Sequence, residues 1–161
     1  MPRTTFETAL GNCAISWSDS SVTGFELPTA RARRDDAPPP PEIAALIERV
    51  RHHLAGEFQD FSDVHYAFEL VPSFQAEVFR ATLAVKAGQT RSYGDIAARL
   101  GQPSAASRAV GSALGANRWP LLIPCHRIIS AEGKMTGFSG PGGIKTKLRL
   151  LALEGAELFA E

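Results

Sequence analysis

With 161 residues, 44% of them hydrophobic, the chain is long enough for one compact unit or two small lobes sharing a core, and too apolar to stay disordered. Its longest aliphatic runs, such as Leu121 to Ile123, are far too short to span a bilayer, the N-terminus has no charged-then-apolar leader, and Cys13 and Cys125 make neither a disulfide framework nor a zinc pattern. The formal net charge of +0 conceals an asymmetry, since residues 1–71 carry 6 Lys/Arg against 11 Asp/Glu whereas residues 72–155 carry 11 against 4, so the second part is the one suited to a polyanion.

Turn-prone Gly11 and Asp19-Ser20-Ser21 separate three short segments, Thr5 to Leu10, Asn12 to Ser18 and Val22 to Leu27, which predicts a small antiparallel meander. Residues 31–41 are charged and then proline-rich, and read as an exposed connection with extended character at its end. Ile43, Leu46, Ile47, Val50 and Leu54 recur at three- and four-residue steps. They predict an amphipathic helix from about Glu42 to Leu54, with His52 and His53 solvated at its polar end. A strand over Val64 to Leu70 would complete an α/β lobe of residues 1–71.

Residues 72–161 read as a second, mainly helical lobe. Phe74, Val78, Leu83 and Val85 mark a helix beginning at Ser73 that Gly88 can terminate. Ser92 is an expected N-cap for a short helix through Leu100. After Gly101-Gln102-Pro103, Ser104 can cap a second helix that runs to about Leu114 and stops at Gly115. Two short helices around a tight Gly/Pro turn resemble a helix-turn-helix. In the second of them Arg108 is the only long polar side chain, and Ser104, Ala105, Gly111 and Ser112 leave the face around it nearly bare. Val110 and Leu114 anchor the opposite side. Such a helix either packs tightly within the protein or approaches another surface closely and projects one guanidinium.

The apolar run Leu121-Leu122-Ile123 ends at Pro124, and Cys125, His126 and Arg127 arrive together before Ile128-Ile129 restores apolar character. That pattern puts a polar cluster on a loop held between buried segments. A thiol with an ordinary pKa of about 8.5 is only a few per cent ionised at neutral pH. His126 can accept its proton directly or through water, while Arg127 can buttress the loop and add positive potential. Taken alone, a Cys-His pair reads equally as a buried structural cysteine.

Pro124-Cys125-His126-Arg127 followed by two aliphatic residues resembles the signature of the O6-alkylguanine-DNA alkyltransferases, the methylated-DNA–protein-cysteine methyltransferases. The likeness continues through residues 88–97 around Tyr93, Ser107 to Gly111, Ala116-Asn117, Gly137 to Gly140, Lys147-Leu148 and Leu150 to Gly155, covering residues 72–155 in order. It implies an α/β N-terminal lobe with a small antiparallel sheet and a mainly helical C-terminal lobe with a winged-helix-like helix-turn-helix. The implied activity is DNA repair by direct, stoichiometric, irreversible transfer of a methyl or other alkyl group from O6-alkylguanine to Cys125, after the damaged nucleotide is flipped out. O4-alkylthymine is a second candidate lesion.

Position by position, the resemblance makes Cys125 the nucleophile and alkyl acceptor, His126 the base acting through water, and Glu154 the acid that orients His126. Asn117 resembles the hinge residue, Arg108 the arginine finger, and Tyr93 the tyrosine that rotates the flanking phosphate and donates a proton. Ser104, Ala105, Gly111 and Ser112 would meet DNA around Arg108. Pro120, Ile128, Phe138 and Ser139 would line the substrate pocket, with Arg127 supporting the loop and Lys147 assisting Tyr93. No cofactor is implied, and the structural zinc of some relatives has no visible ligand set in this sequence. The expected partner is double-stranded DNA carrying O6-alkylguanine, with no membrane association, for a monomer in the cytoplasm. Phe138 stands where many relatives have tyrosine, and Pro141-Gly142-Gly143 lengthens the loop before the last helix relative to some of them. Two readings from other classes are a lesion-binding regulator that repairs nothing, against which the presence of Cys125 argues, and a thiol hydrolase built from Cys125, His126 and Glu154, which leaves the helix-turn-helix unexplained.

Overall fold

A computed structural model describes residues 2–29, 34–130 and 143–156, without the side chain of Ile144. The N-terminal meander is β1 (Arg3–Thr8), β2 (Gly11–Ser18) and β3 (Ser21–Glu26), paired antiparallel in the order β1-β2-β3. Gly11 turns the first hairpin at φ +126°, where a side chain would be strained and a Cβ would also stand 3.2 Å from Pro28. Phe6, Ile15, Trp17, Val22 and Phe25 are buried in the core. Cys13 is buried there too, and burial pushes its thiol up to about 11, which leaves it inert.

Helix α1 (Pro41–Leu54) starts with proline at its first position, where the missing N–H is no loss. It buries Ile43, Leu46, Ile47, Val50 and Leu54, as their spacing predicts. The connection before it is less exposed than expected. The Thr5 amide donates to the Asp35 carbonyl at 2.8 Å, and buried Arg3 pairs with Glu26 and Asp35. The described end of the connection is therefore stitched to the open edge of β1.

Val64 to Leu70 does not form the expected strand. Val22 donates to the His65 carbonyl and accepts from the Ala67 amide, making one isolated bridge to Tyr66, and a 3-10 turn follows at Phe68–Leu70. The edge of β3 is occupied elsewhere, because the Phe25 amide donates to the Arg118 carbonyl at 2.8 Å. Trp119, fully buried, completes this junction by donating from Nε1 to the Val22 carbonyl and packing edge-on against Tyr66, Phe68 and Phe79. One hydrophobic core thus runs from the sheet through α1 into the C-terminal residues.

Helix α2 (Ser73–Leu83) ends five residues before Gly88. Gly88 instead makes a later turn at φ +87°, where a Cβ would stand 3.3 Å from the Glu154 carbonyl. Helix α3 (Tyr93–Arg99) is capped as predicted, since Ser92 and Asp95 each bond the other's backbone amide. Helix α4 (Ser107–Gly115) begins later than expected, because Ser104–Ala106 form a 3-10 turn and Ser104 caps nothing with its side chain. Strand β4 (Arg91–Ser92) pairs parallel with β5 (Ile128–Ile129), and α5 (Ile144–Leu153) closes the described chain. The short β4–β5 ladder ties the start of α3 directly to the residues following Arg127.

Candidate active site

The reactive segment is shaped before its chemistry begins. Leu121 adopts φ +78°, the Ile123 amide returns to the Trp119 carbonyl, and Leu121, Leu122 and Ile123 are all buried. Pro124 then starts a single 3-10 turn, Cys125–Arg127, that carries all three polar side chains into the interior. Burying such groups is costly unless each is hydrogen-bonded. Glu154, at the C-cap of α5, supplies much of that compensation.

Four donors converge on this one carboxylate. Oε1 accepts from His126 Nε2 at 2.9 Å and Arg127 Nε at 2.8 Å, while Oε2 accepts from Arg127 Nη2 at 2.6 Å and His53 Nε2 at 2.8 Å. Arg127 also donates to the Val85 carbonyl at 2.7 Å. Burial alone would raise the Glu154 carboxyl, but the bonds from Arg127, His126 and His53 outweigh it and hold the group well below the usual carboxylate range. The ionised carboxylate in turn decides the state of His126. Burial lowers the imidazole below its ordinary value, only partly opposed by Glu154, so the ring is neutral with its proton on the nitrogen facing Glu154. Nδ1, buried and without a hydrogen-bond partner among the described residues, is left as the basic nitrogen.

Cys125 is 7% exposed, and burial raises its thiol, against the opposing effects of the Asn117 amide and the Lys147 ammonium. The resting group is therefore a thiol that needs a proton acceptor, and a neutral histidine follows it in the chain. Asn117, just beyond α4, donates from Nδ2 to the Ile123 carbonyl and accepts the Trp119 amide on Oδ1. It links the helix end to the reactive segment. Lys147, 1% exposed, donates to the Ile128 carbonyl at 2.7 Å and lies 6.0 Å from the Tyr93 ring centroid. Tyr93 is half-buried against α4, where a Cβ on Gly111 would stand 3.9 Å from its ring. Gly111 thus faces Tyr93, while Ser104, Ala105, Arg108 and Ser112 are exposed. Pro120 is partly buried beside the loop and Ile128 fully buried. Phe138, Ser139, Pro141 and Gly142 lie outside the described residues.

Sequence reasoning misplaced one residue of this cluster. His52 is exposed as expected, but His53 is 1% exposed and bonded to Glu154. The signal was present, since His53 stands three residues after Val50 and seven after Leu46 and so continues the buried stripe of α1. Among the described residues no group of three or more His, Cys, Asp or Glu side chains is placed to hold a metal, and no helix is long and apolar enough to cross a membrane.

A buried thiol beside an acid-anchored histidine, next to two short packed helices, is the arrangement of a cysteine-dependent protein. Residues 73–156 match the family described as 6-O-methylguanine DNA methyltransferase, DNA binding domain. The methylated-DNA–protein-cysteine methyltransferase of Mycobacterium tuberculosis is 37% identical over 160 residues, 98% of this chain and 94% of that one. A crystal structure of Mycobacterium tuberculosis OGT in complex with DNA matches with a TM-score of 0.80 at 34% identity, over 96% of this chain and 93% of the other. The O6-methylguanine-DNA methyltransferase of Pyrococcus kodakaraensis KOD1 matches at 0.75 and 26% identity, over 96% and 99%. The chain belongs to the methylated-DNA–protein-cysteine methyltransferase family. Its α/β lobe with a three-stranded antiparallel sheet and its mainly helical second lobe are the fold of those structures.

Proposed function

We propose that the protein repairs double-stranded DNA by moving one alkyl group from O6-alkylguanine onto Cys125, once per molecule. The observation that carries this reading is His126, bonded through Nε2 to Glu154 with Nδ1 buried and unbonded among the described residues, in the residue next to a buried thiol. His126 takes the thiol proton through a water, and the sulfur attacks the alkyl carbon as the carbon–O6 bond breaks. The electron pair passes to the purine, guanine takes a proton from Tyr93, beside whose ring Lys147 lies, and the proton held by His126 returns to Tyr93 through solvent. A thiol and an O6-alkylguanine become a thioether and guanine, and nothing in the cluster hydrolyses a thioether.

Residues 72–161 carry the DNA contacts and the acceptor, and residues 1–71 brace them from behind. Asn117 couples the exposed helix α4 to the acceptor loop. Arg108 projects from a face of small side chains, Ser104, Ala105 and Ser112, suited to fill the stack that a flipped nucleotide leaves. Among the described residues, Pro120 and Ile128 are the ones this reading assigns to the pocket. The protein acts as a cytoplasmic monomer, consistent with two free thiols and a site assembled within one chain.

Stoichiometry tests the chemistry: with excess O6-benzylguanine, guanine release stops at one equivalent per protein, whereas continuing turnover contradicts it. Arg108→Ala tests the DNA half. It slows repair of duplex DNA by roughly ten- to a hundredfold, reflecting an unstacking cost of a few kcal/mol, while leaving reaction with free O6-benzylguanine near wild type. Arg108→Lys keeps charge but not the planar guanidinium, so it rescues incompletely. Equal slowing of both substrates would make Arg108 a pocket support instead.

A further inference from the structure

We propose that His53 is a positioning residue of the transfer reaction, adjusting from the N-terminal lobe the carboxylate that sets the basicity of His126. The proposal rests on the functional reading above. His53 and Glu154 stand 101 residues apart in sequence, yet their side chains meet at 2.8 Å with 2% and 1% exposure. Such a contact between elements of different lobes, wholly out of solvent, is specified by both.

The ring's tautomer is set from behind. The Gln59 amide donates to His53 Nδ1 at 2.9 Å, so the ring proton lies on Nε2 and is donated to Glu154 Oε2. Phe58 and Phe61 flank the imidazole with ring centroids at 5.4 Å. The loop carrying Gln59 is itself pinned, Lys86 bonding Asp60 at 2.6 Å and Tyr66 Oη donating to the Phe61 carbonyl at 2.7 Å. Arg127 already grips both oxygens of Glu154, so His53 is not needed to fix the carboxylate plane. What it adds is a fourth donor, which draws charge away from the oxygen pair that stabilises protonated His126.

The charged and titratable groups around this point are His53 from α1, His126 and Arg127 from the reactive turn, and Lys147 from α5, the last directed to Ile128 and Cys125 rather than to Glu154. Without the His53 donor, Glu154 holds protonated His126 more strongly. His126 then loses its neutral form at higher pH, and the acid limb of the alkylation rate moves upward.

The test is the pH profile of single-turnover alkylation by O6-benzylguanine in wild type, His53→Phe and His53→Gln, with DNA left out. Phenylalanine keeps a ring between Phe58 and Phe61 but has no donor, and its acid limb moves up by about one pH unit, a loss of several-fold to tenfold on the limb. Glutamine restores an amide donor near the Nε2 position and returns the limb toward wild type. A merely structural role scales the rate at every pH without moving the limb. An unmoved limb in His53→Phe, or a His53→Gln limb shifted equally, overturns the proposal. If the wild type itself gains no alkyl group on Cys125, the functional reading fails instead. Should His53→Phe not fold, nitrogen-15 spectra of the wild-type rings decide: an Nε2–H His53 with a slowly exchanging proton supports the proposal, and an Nδ1–H ring overturns it.

Discussion

Cys125→Ala abolishes alkyl transfer while duplex binding stays near wild type. The substitution removes the nucleophile and leaves the bonds to Glu154 in place, since His126, Arg127 and His53 all close on that carboxylate without the sulfur. On the proposed reading, affinity for duplex DNA comes from phosphate contacts by exposed cations, and Arg91 and Arg99 are exposed. Cys13→Ala is the control. That thiol is buried in the sheet and pushed up to about 11, so its loss leaves transfer unchanged. Gel-shift affinity and single-turnover rates measured on both variants separate the two roles.

Glu154→Gln has the next largest effect, because it changes two quantities at once. The amide keeps the shape of the side chain but turns an oxygen that accepts from His53 or His126 into a donor, and it leaves the Arg127 guanidinium buried without its counter-charge. Breaking one partner out of such a cluster costs about 3–5 kcal/mol, read as a fall in the denaturation midpoint. The surviving folded protein alkylates more slowly, since His126 is no longer held with Nδ1 as its basic nitrogen. A folded variant with the wild-type rate and pH profile removes Glu154 from the mechanism.

The same cluster gives the wild type a predictable acid sensitivity. The His126 imidazole is lowered by burial, so the unfolded chain binds the proton more tightly. That contribution is present above the ordinary histidine range and is lost as pH falls through and below it. Glu154 is also lowered, and its contribution, present above the ordinary carboxylate range, is lost only at more acidic pH. Unfolding midpoints measured from neutral to acid pH fall first near pH 6, on the order of the free histidine value, and again below about pH 4.

Elements with local signals were legible in the sequence. The meander was bracketed by its turn residues, α1 by its apolar stripe, and α3 by the Ser92 cap that forms a box with Asp95. Where tertiary pairing decided the outcome, local pattern was not enough. Val64 to Leu70 has strand-like residues, but Arg118 already occupies the edge of β3. Gly88 carries a helix-stop residue, yet its place is set by close packing against Glu154. The family resemblance singled out Cys125, His126 and Glu154, and the structure buries all three and bonds His126 to Glu154. The fourth member, His53, was hidden because histidine at the end of an amphipathic helix reads as polar, and its burial is completed by a partner for Nε2 that stands 101 residues away.

Intact-protein and peptide mass spectrometry after incubation with duplex DNA containing O6-methylguanine tests the central claim most directly. The expected result is one added methyl group per molecule, stable to prolonged incubation, located on the peptide that contains Cys125, with one lesion restored to guanine for each protein consumed. Methyl on Cys13, no covalent product alongside intact lesion, or lesions lost in excess of protein without a modified Cys125 would contradict it.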